Sequence, residues 1–205
     1  MLNKLLFSCG LFLCVSSFTI TEPHAGSDLY DKAKDFIKAE DFASAESLIV
    51  KIDDFDEKNR LIKRLCKAYI KKGLLNRAEP HIENLSEEED RLSLIKKIVT
   101  AYGDKGDLDS AKSFAGKLKD KELRNKTRGA VAGLYLKKGD LSSAASIAEK
   151  LEKGEIKTKV YAAIAGIYIE KGDLKSAEII VSKIEEGETR SQLVALLGTL
   201  KANGK

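Results

Sequence analysis

One period governs this chain. Tyr69, Tyr102, Tyr135 and Tyr168 recur every 33 residues, with Phe36 one step earlier. Gly73, Gly106, Gly139 and Gly172 keep the same stride, as do Ala45, Ala78, Ala111, Ala144 and Ala177. Phe42, Leu75, Leu108, Leu141 and Leu174 form a fourth column, and Ile52, Leu85, Leu118, Leu151 and Ile184 a fifth. Columns in common register mark a repeat array, in which one structural unit is copied along an axis. Each unit of such an array is too small to bury its own apolar stripe, so stability comes from stacking.

The columns have separate physical tasks. In the copy YLKKGDLSSA, residues 135–144, Tyr135 ends an apolar-periodic helix. Gly139 is placed to take the left-handed conformation that stops a helix at no steric cost. Asp140 follows as the cap of the next helix, its carboxylate accepting orphan backbone N–H groups. Leu141 begins that second helix, and Ala144 keeps its first turn thin so that the two helices approach. Asp107 and Asp173 repeat the cap, as does Asp41, which Glu40 precedes in place of glycine. Each unit thus reads as helix A, a Gly-Asp turn, helix B and a short polar link. Asp53/Asp54, Asp120, Gly154 and Gly187 mark the links, and Ser86-Glu87-Glu88-Glu89 reads as a capping box. Five pairs are expected from about Asp28 to Glu186, followed by a lone helix over Glu188 to Lys201 that covers the open end. Pro80 falls inside the second B helix; a later start capped by Asn76, with Glu79 completing the box, would accommodate it in a shortened or bent helix.

Composition agrees with an all-α fold. Apolar residues are 43% and charged residues 33%, with two prolines and no tryptophan. Residues 1–25 read as a secretory signal peptide: Lys4 supplies the positive start, Leu5 to Ile20 carries no charge, and cleavage fits after Ser17 or Ala25. The mature domain is then residues 26–205, exported to a bacterial periplasm or cell envelope or secreted. An uncleaved leader, or a lipid anchor at Cys9 in the box Leu6-Phe7-Ser8-Cys9-Gly10, is the alternative and the only expected link to a membrane. After cleavage Cys66 is the sole cysteine, and packing alone must hold the fold.

The order Tyr, then Gly-Asp four and five residues on, an apolar residue at six and Ala at nine resembles the tetratricopeptide repeat family. Residues 102–111, 135–144 and 168–177 carry it in full. The resemblance implies antiparallel helix pairs stacked in a right-handed superhelical solenoid, A helices on the concave side, and a binding scaffold rather than a catalyst. The pattern departs from the family in its 33-residue unit and in the helix-A position where tryptophan is usual, held here by Ile62, Ile95, Arg128, Tyr161 and Val194. The large aromatic usual in helix B gives way to Ile82, Ala115, Ala148 and Val181.

Catalysis needs a nucleophile, base or metal held in one place. Cys66 shares a column with Val99, Ala132 and Ala165 and reads as core; His81 has no His or Cys partner at ligand spacing. No P-loop, dinucleotide turn or zinc-protease motif is present. The expectation is a non-enzyme with no cofactor, no metal and no small-molecule substrate. Helical spacing selects a groove face on the A helices. Its N-terminal half is basic, with Arg60, Lys63, Arg64, Lys67, Lys96 and Lys97; its C-terminal half is small and apolar, with Ala130, Gly133, Ala163 and Gly166. The expected partner is a protein or peptide segment in this groove. The basic face reads equally as a solvated helix surface, and the small residues as close packing between neighbouring A helices. A self-associating envelope component is the alternative function. Nucleic acid is disfavoured by the export signal, by a net charge of only +4 and by the lack of an aromatic platform.

Overall fold

The computed structural model describes residues 25–204. Every element in that span is an α-helix. The A helices are α1 (Ala25–Lys38), α3 (Phe55–Lys72), α5 (Glu88–Lys105), α7 (Lys121–Lys137) and α9 (Glu155–Glu170). The B helices are α2 (Phe42–Ile49), α4 (Leu75–Ile82), α6 (Leu108–Lys117), α8 (Leu141–Glu149) and α10 (Leu174–Ser182), and α11 (Glu188–Ala202) closes the array. The signal-peptide and lipidation expectations fall on residues outside those described, apart from Ala25, which opens α1.

The Gly-Asp corner forms as its chemistry requires. Gly73, Gly106, Gly139 and Gly172 have φ of 73°, 74°, 77° and 74°, and Glu40 takes the same left-handed conformation at 63°. Asp41, Asp107, Asp140 and Asp173 each cap the following helix by accepting from the backbone N–H of a serine three residues on. The columnar alanines all have zero exposure, which lets each A helix lie flat on its own B helix. The apolar columns beginning at Phe42 and Ile52 are buried throughout. Fully burying one such side chain contributes about 1.5–3 kcal/mol.

The second unit departs from the expected cap. Leu74 stands where the other corners have aspartate, and α4 has no side-chain cap. Asn76 lies inside α4 rather than capping a later start, so the helix begins in register and Pro80 sits within it. Glu79 points outward from unit two instead, accepting from the Tyr102 hydroxyl at 2.6 Å. The Ser86 capping box does not form either. Glu87 is the N-cap of α5 without a side-chain bond, because the Ser86 hydroxyl accepts from Asn59 Nδ2 at 3.1 Å.

Two further columns hold unit to unit. Lys58, Arg91, Arg124 and Lys157 each reach back to carbonyls at the end of the preceding B helix. Arg91 Nη1 donates to Leu85 O at 2.7 Å and Ser86 O at 3.0 Å; Arg124 Nη1 donates to Leu118 O at 2.6 Å and Lys119 O at 2.9 Å. They satisfy helix-end acceptors that would otherwise lack partners. The lysine before each corner glycine is the second column. Lys105 donates to Gly73 O at 2.7 Å, Lys138 donates to Gly106 O at 3.0 Å, and Lys72 pairs with Glu40.

Each A helix packs on the next A helix from α1 to α11, whereas the B helices do not pack closely on one another. Clefts of about 500, 290 and 320 Å³ lie instead between α2 and α4, α4 and α6, and α6 and α8. Close on one side and splayed on the other, the array curves with its A helices inward.

Candidate partner-binding groove

The groove is the exposed face of the inward A helices. Their apolar stripe, Leu61, Leu65, Leu94, Ile98, Val131 and Ile164 among it, turns to the B helices, which leaves the polar and small positions outside. Arg60, Arg64, Lys67, Lys96 and Lys97 are exposed and Lys63 is half-buried.

These six cations fall into two groups. Arg60 and Lys63 border a depression of about 280 Å³ at the N-terminal ends of α3 and α5, whose wall includes Asp56, Glu87 and Asp90. Lys63 is ion-paired with Asp90, and the Arg60 guanidinium lies 5.7 Å from the centre of the Tyr30 ring. Lys63 thus has an internal counter-charge, and Arg60 is held against an aromatic ring. Arg64, Lys67, Lys96 and Lys97 make no ion pair among the described residues. They are the part of the basic surface left without an internal counter-charge.

The small residues also divide. A Cβ on Gly129 would come within 2.5 Å of Ile156 Cγ2 on α9, and one on Gly103 within 2.8 Å of Leu134 Cδ2 on α7. Those two glycines let neighbouring A helices close up. Gly133 and Gly166 have nothing within 4 Å of the same point. Ala130 and Ala163 are exposed. The expected packing explanation therefore holds for Gly129, which lies on the same stripe, and fails for Gly133 and Gly166, which front open space.

The remaining chemistry-bearing residues are structural. Burial pushes the Cys66 thiol up to about 12, far from the thiolate that a nucleophile requires. His81 Nε2 lies 3.1 Å from Glu46 Oε1, which also accepts from the Tyr69 hydroxyl at 2.7 Å. Arg77 Nη2 donates to Glu46 Oε2 at 3.0 Å, and its guanidinium lies 4.9 Å from the centre of the Tyr69 ring. Burial raises the Glu46 carboxyl, but the hydrogen bonds from Tyr69 and His81 and the charge of Arg77 outweigh it, so its pKa is lowered. This cluster bolts unit one to unit two. Among the described residues no group of three or more His, Cys, Asp or Glu could hold a metal ion, and no helix is long and apolar enough to cross a membrane.

Stacked helix pairs, Gly-Asp corners and inward A helices give this chain a tetratricopeptide-like helical-repeat fold. No family model and no curated protein matches it. Among solved structures it is similar to MamA from AMB-1, at 18% identity over 82% of this chain and 98% of that one, with a TM-score of 0.34. A D159K mutant of MamA gives 19% identity over 83% and 92% of the two chains and a TM-score of 0.37. A Podosopora anserina kinesin light chain of nearly identical TPR-like repeats gives 15% identity over 82% and 94%, with a TM-score of 0.35. The assignment rests on the geometry of the corners and the stacking of the helices, not on these overlaps.

Proposed function

We propose that this chain is an exported, non-catalytic scaffold that holds a segment of another protein in its concave groove. The observation that supports this is the sequence of surfaces along the groove. Arg64, Lys67, Lys96 and Lys97 offer charge without an ion-pair partner among the described residues, and Ala130, Gly133, Ala163 and Gly166 then offer a shallow floor with no side chain larger than a methyl group. A segment with acidic residues at one end and apolar residues at the other fits that order. Arg60 and Lys63 sit at the margin, Lys63 paired with Asp90 and Arg60 lying against the Tyr30 ring.

The test is capture from a cell-envelope extract by the native chain and by an Arg64→Glu, Lys67→Glu, Lys97→Glu variant, which leaves the Lys63–Asp90 pair intact. The variant keeps its helicity by circular dichroism and loses the retained protein. Undiminished capture by a folded variant would move the site elsewhere. Export is tested separately, by the mass of the chain recovered from the envelope: removal of residues 1–17 or 1–25 is expected, and an intact leader contradicts it.

A self-associating reading has one observation in its favour. α11 buries only Leu197, while Val194 and Leu196 on it are exposed. Sedimentation across a concentration range separates the two, because a strict monomer removes self-association.

A further inference from the structure

The convex clefts between successive B helices are built on equivalent positions, yet one differs in chemistry from the others. In the α2/α4 cleft the position after the columnar alanine is Glu46, and in the α4/α6 cleft it is Glu79. In the α6/α8 cleft it is Lys112. The helix-A column that holds buried Ile62, Ile95 and Tyr161 places Arg128 in this cleft. The position of Val50 and Glu83 is Gly116, which leaves the wall without a side chain. Three separate breaks in the repeat therefore converge on one cavity of about 320 Å³.

Those breaks make it basic above an apolar floor. Lys112, Arg128 and Lys150 stand around it, and among the described residues none of the three is in an ion pair. Asp109 is the one carboxylate on the wall, and it accepts from the Tyr135 hydroxyl at 3.3 Å. Arg128 Nη1 donates to Lys150 O at 3.2 Å. That bond fixes the guanidinium and leaves its other N–H donors free. Val131 and Ile147 lie beneath and are almost wholly buried, so the open apolar surface is that of Gly116 and the aliphatic stems of the three cations.

We propose that the α6/α8 cleft binds a small organic anion, a carboxylate carried on a compact apolar body. The carboxylate meets the Arg128 guanidinium, with Lys112 and Lys150 at either side, and the apolar body lies over the bare Gly116 backbone between the aliphatic stems of those cations. A fixed guanidinium favours a planar carboxylate over a spherical ion. The aliphatic stems around Gly116 favour a ligand with apolar surface to bury. This site is on the opposite side of the array from the groove and stands independently of the groove reading.

The test titrates phenylacetate into the full ¹⁵N-labelled chain, with phenylacetamide and inorganic phosphate as matched probes. Phenylacetate shifts the Gly116, Val131 and Ile147 resonances with a Kd of about 1 mM or tighter, and the other two probes bind at least about tenfold more weakly. Two variants return the cleft to the repeat's own pattern: Arg128→Ile, matching Ile62 and Ile95, and Lys112→Glu, matching Glu46 and Glu79. Both restore residues the fold already accommodates, so both keep the native Tm within a few degrees, and each loses phenylacetate affinity about tenfold or more. Equal binding of phenylacetamide would overturn the proposal by removing the charge requirement. Equal binding of phosphate would overturn it by removing the apolar body. So would full affinity in either folded variant, or no shift with phenylacetate.

Discussion

Gly139 shows what a single atom costs at a corner. Its φ is 77°, and a Cβ there would touch nothing within 4 Å, so the penalty of adding one is purely conformational. Gly139→Ala is expected to lower stability by about 1–2 kcal/mol in urea unfolding, and no loss would contradict the left-handed corner. At Ala144 the constraint is space instead. Ala144 has zero exposure between α7 and α8, and Ala144→Leu should cost about 1–3 kcal/mol by overpacking; unchanged thermal unfolding would misplace that column. The capping aspartates tie stability to pH. Hydrogen bonding from Ser44, Ser110, Ser143 and Ser176 holds Asp41, Asp107, Asp140 and Asp173 below the usual carboxylate range. A carboxyl with a lowered folded pKa stabilises the fold above its unfolded value and loses that contribution as pH falls through the folded one. The Tm should hold from neutral down to about pH 5 and drop below about pH 4. Tyr69 and Tyr102 act with the opposite sign. Burial first, and then the bonds to Glu46 and Glu79, raise their phenols. Their contribution is complete below about pH 10 and is lost above it as they ionise. A Tm that stayed flat on both limbs would count against these hydrogen bonds. Asp140→Asn, which still caps but does not titrate, should make the acid limb shallower.

Among the helices α4 is the exception. It has Leu74 at its N-cap, with no side-chain cap, and Pro80 inside. Leu74→Asp supplies the cap that four other corners already use, and should raise stability by about 1 kcal/mol. A neutral or negative result in denaturant would mean that the α3/α4 corner differs from its siblings. The helix order and corners were readable because Gly, Asp and Ala each have one strong local reason to be where they are. The details around α4 and α5 were not. Ser86 and Asn76 are good caps by type, but tertiary partners decide, and Asn59 claims the Ser86 hydroxyl. The Lys/Arg column through Lys58, Arg91, Arg124 and Lys157 was also missed. Its signal was present in the 33-residue stride, but long cations on a repeat surface look like solvated charge until their carbonyl partners are seen.

For the molecule as a whole, the groove was half legible. Spacing placed the cations and the small residues on one face of the A helices, and the family resemblance implied that this face turns inward. It could not tell that Asp90 answers Lys63, nor that Gly129 is filled by Ile156 while Gly133 is open, because those are contacts between units. The α6/α8 cleft was hidden for the same reason. Arg128 was visible in the sequence as one member of a helix-A column, but only stacking brings it beside Lys112 and Lys150. Both surfaces depend on the chain being a row of interchangeable units, each touching only its neighbours. That is tested by excising residues 107–139, which joins Gly106 to Asp140 and so rebuilds a Gly-Asp corner at the seam. The prediction is a shortened chain with unchanged helicity per residue and a cooperative but lower thermal transition. A chain that lost its helicity, or unfolded without a transition, would contradict the stacked-unit account.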